Sequence, residues 1–278
     1  TLGSASTELK LTDANTALSL SGIALETGPG SLTLSGALTM SGNSKLNSSG
    51  GTITLNSGGS ASSGTEISLP DTTLVLQNAL SLTGATLKTK NTTLTTNNKA
   101  LSLSSSSILE VDGTQDLSGI VPDSTSTLTL RLAADATIND STALSVETLD
   151  LANFALTLDD NMAGLSVSQA LTLDAATEQI ITGDTDLSLN GGITVSNGTL
   201  SSTGGTLSTS SFSIGAAGTV NILGGTLSLP AGGTAVSGAA FTTSGATINL
   251  ADSLVVEDAW TITNTSISLT GEASLSHS

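Results

Sequence analysis

At 278 residues the chain could make one large domain or two ordinary ones, but it is 1% aromatic, 10% charged and free of cysteine, with a net charge of −17. Its six basic residues (Lys10, Lys45, Lys88, Lys90, Lys99 and Arg131) form no cluster to meet phosphate, which excludes nucleic acid and disfavours an anionic membrane surface. Without cysteine there can be no disulfide or thiolate zinc site, and no apolar run has transmembrane length, so membrane insertion is not expected. The chain opens at Thr1 without a secretory leader pattern, which reads as a processed or excised piece.

Residues 1–37 show short apolar-x-apolar triplets at irregular spacing: Leu9-Lys10-Leu11, Leu18-Ser19-Leu20, Ile23-Ala24-Leu25 and Leu32-Thr33-Leu34, broken by Gly28-Pro29-Gly30. They are expected to be an N-terminal capping or exchanged segment continuous with the rest of the fold, because an open strand edge needs a cover.

From Leu38 to Val111 the spacing becomes regular. An apolar residue recurs about every seven positions: Leu46, Ile53, Ile67, Leu74, Leu80, Leu87, Leu94, Leu101 and Ile108. A seven-residue beat also suits a coiled coil, yet the intervening Ser, Thr, Gly and Asn oppose a helix. Triplets such as Ile53-Thr54-Leu55 and Leu101-Ser102-Leu103 alternate with the period of a strand. Each beat is therefore a short strand and a turn, and three beats make one repeat. Leu46, Ile67, Leu87 and Ile108 lie 21, 20 and 21 apart, and Ile53, Leu74 and Leu94 lie 21 and 20 apart. This predicts an all-β fold, a three-sided parallel β-solenoid of about 20–21 residues per coil and roughly 13 coils. Stacked coils would bury Leu on Leu in continuous columns and turn Ser and Thr outward. The missed beat at Ser57–Gly64 predicts a flexible corner or a bulged-out loop.

An irregular acidic section comes next at 112–186, within the solenoid that spans 38–278. Glu110 to Asp186 holds 14 of the 23 acidic residues and the only Arg, with insertions such as Gly119-Ile120-Val121-Pro122-Asp123. The regular spacing returns at Leu187, Leu207, Leu227, Ile248 and Ile267 (20, 20, 21 and 19 apart), and again at Leu200, Val220, Phe241 and Ile262 (20, 21 and 21 apart). Gly-Gly steps precede Ile193, Thr206 and Thr226, where a corner needs φ > 0.

Two stretches, Gly224-Gly225-Thr226-Leu227-Ser228-Leu229 with Gly232-Gly233-Thr234, and Gly50-Gly51-Thr52-Ile53-Thr54-Leu55, resemble repeats of autotransporter passenger domains and filamentous-haemagglutinin-type adhesins. The resemblance covers about half the chain. It implies a right-handed parallel β-helix exported to a bacterial cell surface.

Several residues invite a chemical reading. Asp159, Asp160, Asp184 and Asp186 could give oxygen ligands to Ca²⁺ in corner loops, though no calcium-loop motif frames them and solvated turn residues are the simpler reading. No other cofactor is implied. Polysaccharide-cleaving β-helices pair carboxylates in a groove with aromatic and basic residues; here Tyr is absent and Arg131 stands alone. His277, the only histidine, is penultimate, where order is not expected, and a hydrolytic triad has no base. Trp260 reads as a plug for the last coil or an exposed anchor. Thr39, Thr52, Thr54, Thr72, Thr73, Thr92, Thr93, Thr95 and Thr96 partly match an ice-binding face, without recurring as Thr-x-Thr at one spacing.

The sequence thus points to an exported structural solenoid and not to an enzyme: a self-assembling fibre subunit or the rigid stalk of a surface adhesin. Its partners would be further copies of itself, or a surface glycan or protein. A polysaccharide-acting enzyme and an ice-binding solenoid are the alternatives.

Overall fold

The computed structural model describes residues 8–122 and 127–277. The chain is all-β, a parallel β-solenoid without a helix among the described residues. It divides into two compact units, Thr1–Ala134 and Asp135–Ser278, with the boundary inside the strand Thr129–Asn139.

Unit 1 is built from three parallel sheets, each taking every third strand. The first sheet runs Glu8–Leu11, Ser31–Leu34, Thr52–Leu55, Thr73–Leu76, Thr93–Thr95. The second runs Leu18–Ser21, Leu38–Ser41, Gly59–Ala61, Leu80–Thr83, Leu101–Ser104, Ile120–Pro122. The third contains Ala24–Gly28, Lys45–Ser48, Glu66–Pro70, Thr86–Lys90 and Ile108–Asp116. The strands Glu8–Leu11, Leu18–Ser21 and Ala24–Gly28 pair in parallel with the next strand of their sheets, so the N-terminal segment supplies a coil of its own. Thr1–Thr7 and Asp123 lie outside the described residues.

Ile53, Leu74 and Leu94 fall in one column, as their spacing predicts. Leu46, Ile67 and Leu87 form another, but Leu87 pairs with Leu109; Ile108 pairs with Thr86 and is half-buried. The cause is corner length. The path from Leu103 to Leu109 holds one residue more than the path from Leu82 to Leu87, with Ser105 (φ 52°) at the turn.

The missed beat is a strand, Gly59–Ala61, and not a loop. Gly59 sits in register between Leu38 and Leu80, and a Cβ on it would come within 2.3 Å of the Leu38 carbonyl oxygen. The beat vanishes from the apolar count because the column places a glycine where its neighbours crowd in. Similarly, Ile120–Pro122, where the spacing predicts an insertion, is the last strand of the second sheet, paired with Leu101–Leu103.

Unit 2 repeats the plan. Its first sheet includes Ala155–Leu158, Gln179–Thr182, Thr199–Ser202, Thr219–Ile222, Ala240–Ser244 and Trp260–Thr263. The second runs Leu144–Val146, Leu165–Val167, Leu187–Leu189, Thr206–Thr209, Thr226–Leu229, Thr247–Leu250, Ser266–Leu269. The third runs Leu171–Leu173, Ile193–Val195, Phe212–Ile214, Gly233–Ala235, Leu254–Val256, Leu275–His277. The predicted column is present: Leu187, Leu207, Leu227, Ile248 and Ile267 pair in succession, extended backwards by Leu165 and Leu144. All but the terminal Ile267 are buried. Each such side chain is worth roughly 1.5–3 kcal/mol when withdrawn from water.

The column Leu200, Val220, Phe241 continues into Trp260, and not into Ile262 as the spacing predicts. Ile262 pairs with Thr243 and is 46% exposed. The rings of Phe241 and Trp260 stack at 4.8 Å and 10°, so the indole takes the column position. Trp260 also donates Nε1–H to Thr243 Oγ1 at 3.1 Å. At the Gly-Gly corners, Gly205 (φ 62°) and Gly225 (φ 67°) lie directly over one another. A Cβ on Gly225 would stand 2.1 Å from the Gly205 oxygen, so the corner is closed to any side chain.

The irregular section owes its uneven spacing to corners of different length. Leu156 and Ile180 are column neighbours 24 residues apart, whereas Ile180 and Leu200 are 20 apart.

Candidate functional site

The solenoid sorts side chains by parity: one residue in two enters a column, and its neighbour faces outward. Any surface chemistry must therefore be written in the outward rows and in the corners. Three such places carry charged, polar or apolar groups in quantity.

The first is a ladder of charge on the third sheet of unit 1. Glu66 stands between Lys45 (3.4 Å) and Lys88 (3.1 Å), and Lys88 reaches on to Glu110 at 3.7 Å. Lys90 pairs with Asp112 at 2.8 Å beside it. Ser68, Pro70, Lys88, Lys90, Glu110 and Asp112 rim a shallow depression of about 160 Å³. Partial burial works to raise the Glu66 carboxyl, but Lys88 and Lys45 outweigh it and hold it below the usual carboxylate range. The hydrogen bond to Glu66 raises the Lys88 ammonium against the opposing effect of burial, with Glu110 adding to the rise. The charges neutralise one another along the sheet, the expected arrangement for cross-strand pairs.

The second is the set of calcium candidates. The structure brings Asp160 beside Asp184, one coil apart, and commits the carboxylates of Asp159, Asp160 and Asp186 to backbone N–H groups. Asp159 Oδ1 accepts from Asn161 N and Nδ2 at 2.9 and 2.7 Å, which holds its carboxyl below the ordinary range. Asp160 Oδ1 accepts from Asp184 N at 3.1 Å, and Asp186 Oδ1 from Thr206 N at 2.6 Å. No group of three or more His, Cys, Asp or Glu among the described residues could hold a metal ion. Glu178 plays the same corner role from a buried position, accepting from Asp174 N (2.8 Å), Ala175 N (3.2 Å) and, one coil back, Asn153 N (3.4 Å). These are Asx-type and capping contacts, which satisfy the N–H groups a tight corner leaves over.

The third is the coil formed by Trp260–Thr263, Ser266–Leu269 and Leu275–His277. Each of these strands pairs on one side only among the described residues. Trp260, Ile262, Leu275 and His277 border a hollow of about 350 Å³, and Leu269, on another strand of this coil, is 50% exposed. His277 is part of a strand paired with Leu254–Val256, contrary to the expectation of a loose end. Asp258 is held below its ordinary value by the backbone N–H of Ala259 and of Gly238, with a smaller contribution from His277.

Register also reveals a surface that spacing hides. On the first sheet of unit 1, Thr52, Thr73 and Thr93 share one outward row, and Thr33, Thr54, Val75 and Thr95 share the next. The full Thr-x-Thr pattern stands at Thr52/Thr54 and Thr93/Thr95, with Thr73/Val75 between them and Ser31/Thr33 before, at intervals of 21, 21 and 20. Counting each strand from its first buried residue would have exposed it.

No protein-family model, no curated protein and no solved structure matches the chain.

Proposed function

We propose that this chain is a structural β-solenoid displayed outside a bacterial cell, working through shape and surface contacts rather than catalysis. It joins further copies into a fibre or serves as the rigid stalk of an adhesin. The observation that carries the reading is the coil at 260–277. Among the described residues its strands pair on one side only, Ile262 and Leu269 are exposed, and Trp260 is half-buried. Such an edge is a template for another strand set. A second copy seated there makes a heterologous contact that repeats without closing. The engagement of the acidic corner residues with backbone supports a structural role for them too.

Light scattering and electron microscopy of the 278-residue chain test it. Concentration-dependent filaments are expected, lost on Ile262→Lys with Leu269→Lys. A monodisperse monomer at high concentration overturns the fibre and leaves the stalk. Protection of the chain from added protease in intact cells overturns both.

A further inference from the structure

We infer that the outward face of the first sheet of unit 1 is a water-ordering surface that docks onto ice. It is a reading separate from end-to-end assembly, since it uses a face and not an edge. The rows Thr52/Thr73/Thr93 and Thr33/Thr54/Val75/Thr95 set their side chains on a two-dimensional grid. Its spacings are about 4.8 Å between coils and roughly 6.6 Å between alternate residues along a strand. Both spacings are close to repeats of the hexagonal-ice surface, so hydroxyls on this grid can stand in for lattice waters.

Two independent features favour ice over a protein or sugar partner. The hydroxyls of Thr52, Thr54, Thr73, Thr93 and Thr95 make no hydrogen bond to another described residue, while Thr65, Thr72, Thr89 and Thr92 commit theirs to backbone or neighbouring side chains. The hydroxyl groups of those five grid threonines are thus left for water, whereas Thr33, at the edge of its row, donates its hydroxyl to Glu8 Oε1 at 3.0 Å. The four strands Ser31–Leu34, Thr52–Leu55, Thr73–Leu76 and Thr93–Thr95 also carry no charged residue; the charges of this sheet, Glu8 and Lys10, stand on its edge strand Glu8–Leu11 and pair with each other at 3.0 Å, so the docking face is the four-strand part of the sheet. A charged group would hold a hydration shell that ice cannot share. Threonine suits the task because its β-branch fixes χ1, so the hydroxyls are placed before water arrives. The register is unbroken across the four strands, and Val75 keeps the shape of threonine where it lacks the hydroxyl.

Thermal hysteresis and ice-crystal habit of the purified chain decide the matter, with the melting temperature as the check on folding. A freezing gap with faceted crystals is expected. It should be abolished by Thr54→Lys with Thr73→Lys, retained by Ser68→Glu on the third sheet, and enlarged by Val75→Thr. If the lysine pair unfolds the protein, Thr54→Val with Thr95→Val serves instead, since it removes hydroxyls while preserving packing; a reduced gap is then expected. A parent chain that freezes like an inert protein overturns the inference. So does a gap that survives the face substitutions in a folded variant.

Discussion

Leu227 offers the sharpest test of the column register. It is 0% exposed, in register between Leu207 and Ile248, which are 1% and 0% exposed. Its strand is hydrogen-bonded into the sheet on both sides, so the coils above and below are held apart at the strand spacing and cannot close onto a void. Leu227→Ala should then cost toward the upper part of the usual range of about 2–5 kcal/mol for buried leucine truncation. Leu227→Asp should cost more, because a carboxylate enters a column with no partner. Ser228→Asp, one residue on and facing outward between Ser208 and Asn249, should stay within about 0.5 kcal/mol. Urea unfolding followed by circular dichroism gives the totals. Hydrogen exchange adds location: stacked coils are stabilised by nearest neighbours, so amides of Thr206–Thr209 and Thr247–Leu250 should lose protection first. Equal shifts for Leu227→Ala and Ser228→Asp would refute the register.

The charge ladder should be visible in pH. Glu66 has its folded pKa lowered, so its contribution is present above the unfolded value of about 4.3 and lost as pH falls through the folded one; Lys88, raised, contributes below about 10.4 and loses that as pH rises through its folded value. Glu66→Gln should therefore cost under about 1 kcal/mol at neutral pH, shrinking in acid and in high salt, and an undiminished difference at pH 2 would refute the electrostatic origin. For the acidic corners, melts with and without a calcium chelator should coincide, because Asp159, Asp160 and Asp186 are committed to backbone N–H groups. A melting temperature that falls with chelator and returns with Ca²⁺ would show linkage and reinstate the metal.

The fold was legible because its signal is redundant. Leu187, Leu207 and Leu227 announce one column, and Leu80 with Leu101 another, so an error at any one position is outvoted. What escaped was local. Gly59 hid a strand because the apolar count expects a side chain where close packing forbids one. Spacing alone puts Ile108 in the place of Leu109, and Ile262 in that of Trp260, because a corner can gain or lose a residue without disturbing the coils on either side. The one-residue slip exchanges column for surface, since the side-chain period is two, whereas the two-residue slip keeps Ile262 on the inner side but in the column of the buried Thr243. For the carboxylates, sequence shows an acidic residue but not the N–H it serves, so the turn-residue reading and the calcium alternative stand side by side until the partners are seen. The threonine face escapes for the same reason as Leu109: Thr72 and Thr92 look like members, yet both are buried corner residues, and the true rows begin one position later.

Parity also divides the labour of each strand. The columns tolerate only changes of similar volume, and the stacked Gly205 and Gly225 tolerate none, so the interior constrains half of each strand tightly. The outward half is constrained only by β-propensity and solubility, and within one unit it already holds an ion-pair ladder on one sheet and threonine rows on another. Neither pattern is needed to stack the coils, for unit 2 stacks as regularly with rows such as Ser188, Ser208 and Ser228. Differences between faces that the interior does not require are free to answer to what each face meets in the surrounding medium. On the proposed reading, contacts are made through edges and outward rows, while the core, which accounts for the fold, does not meet the partner.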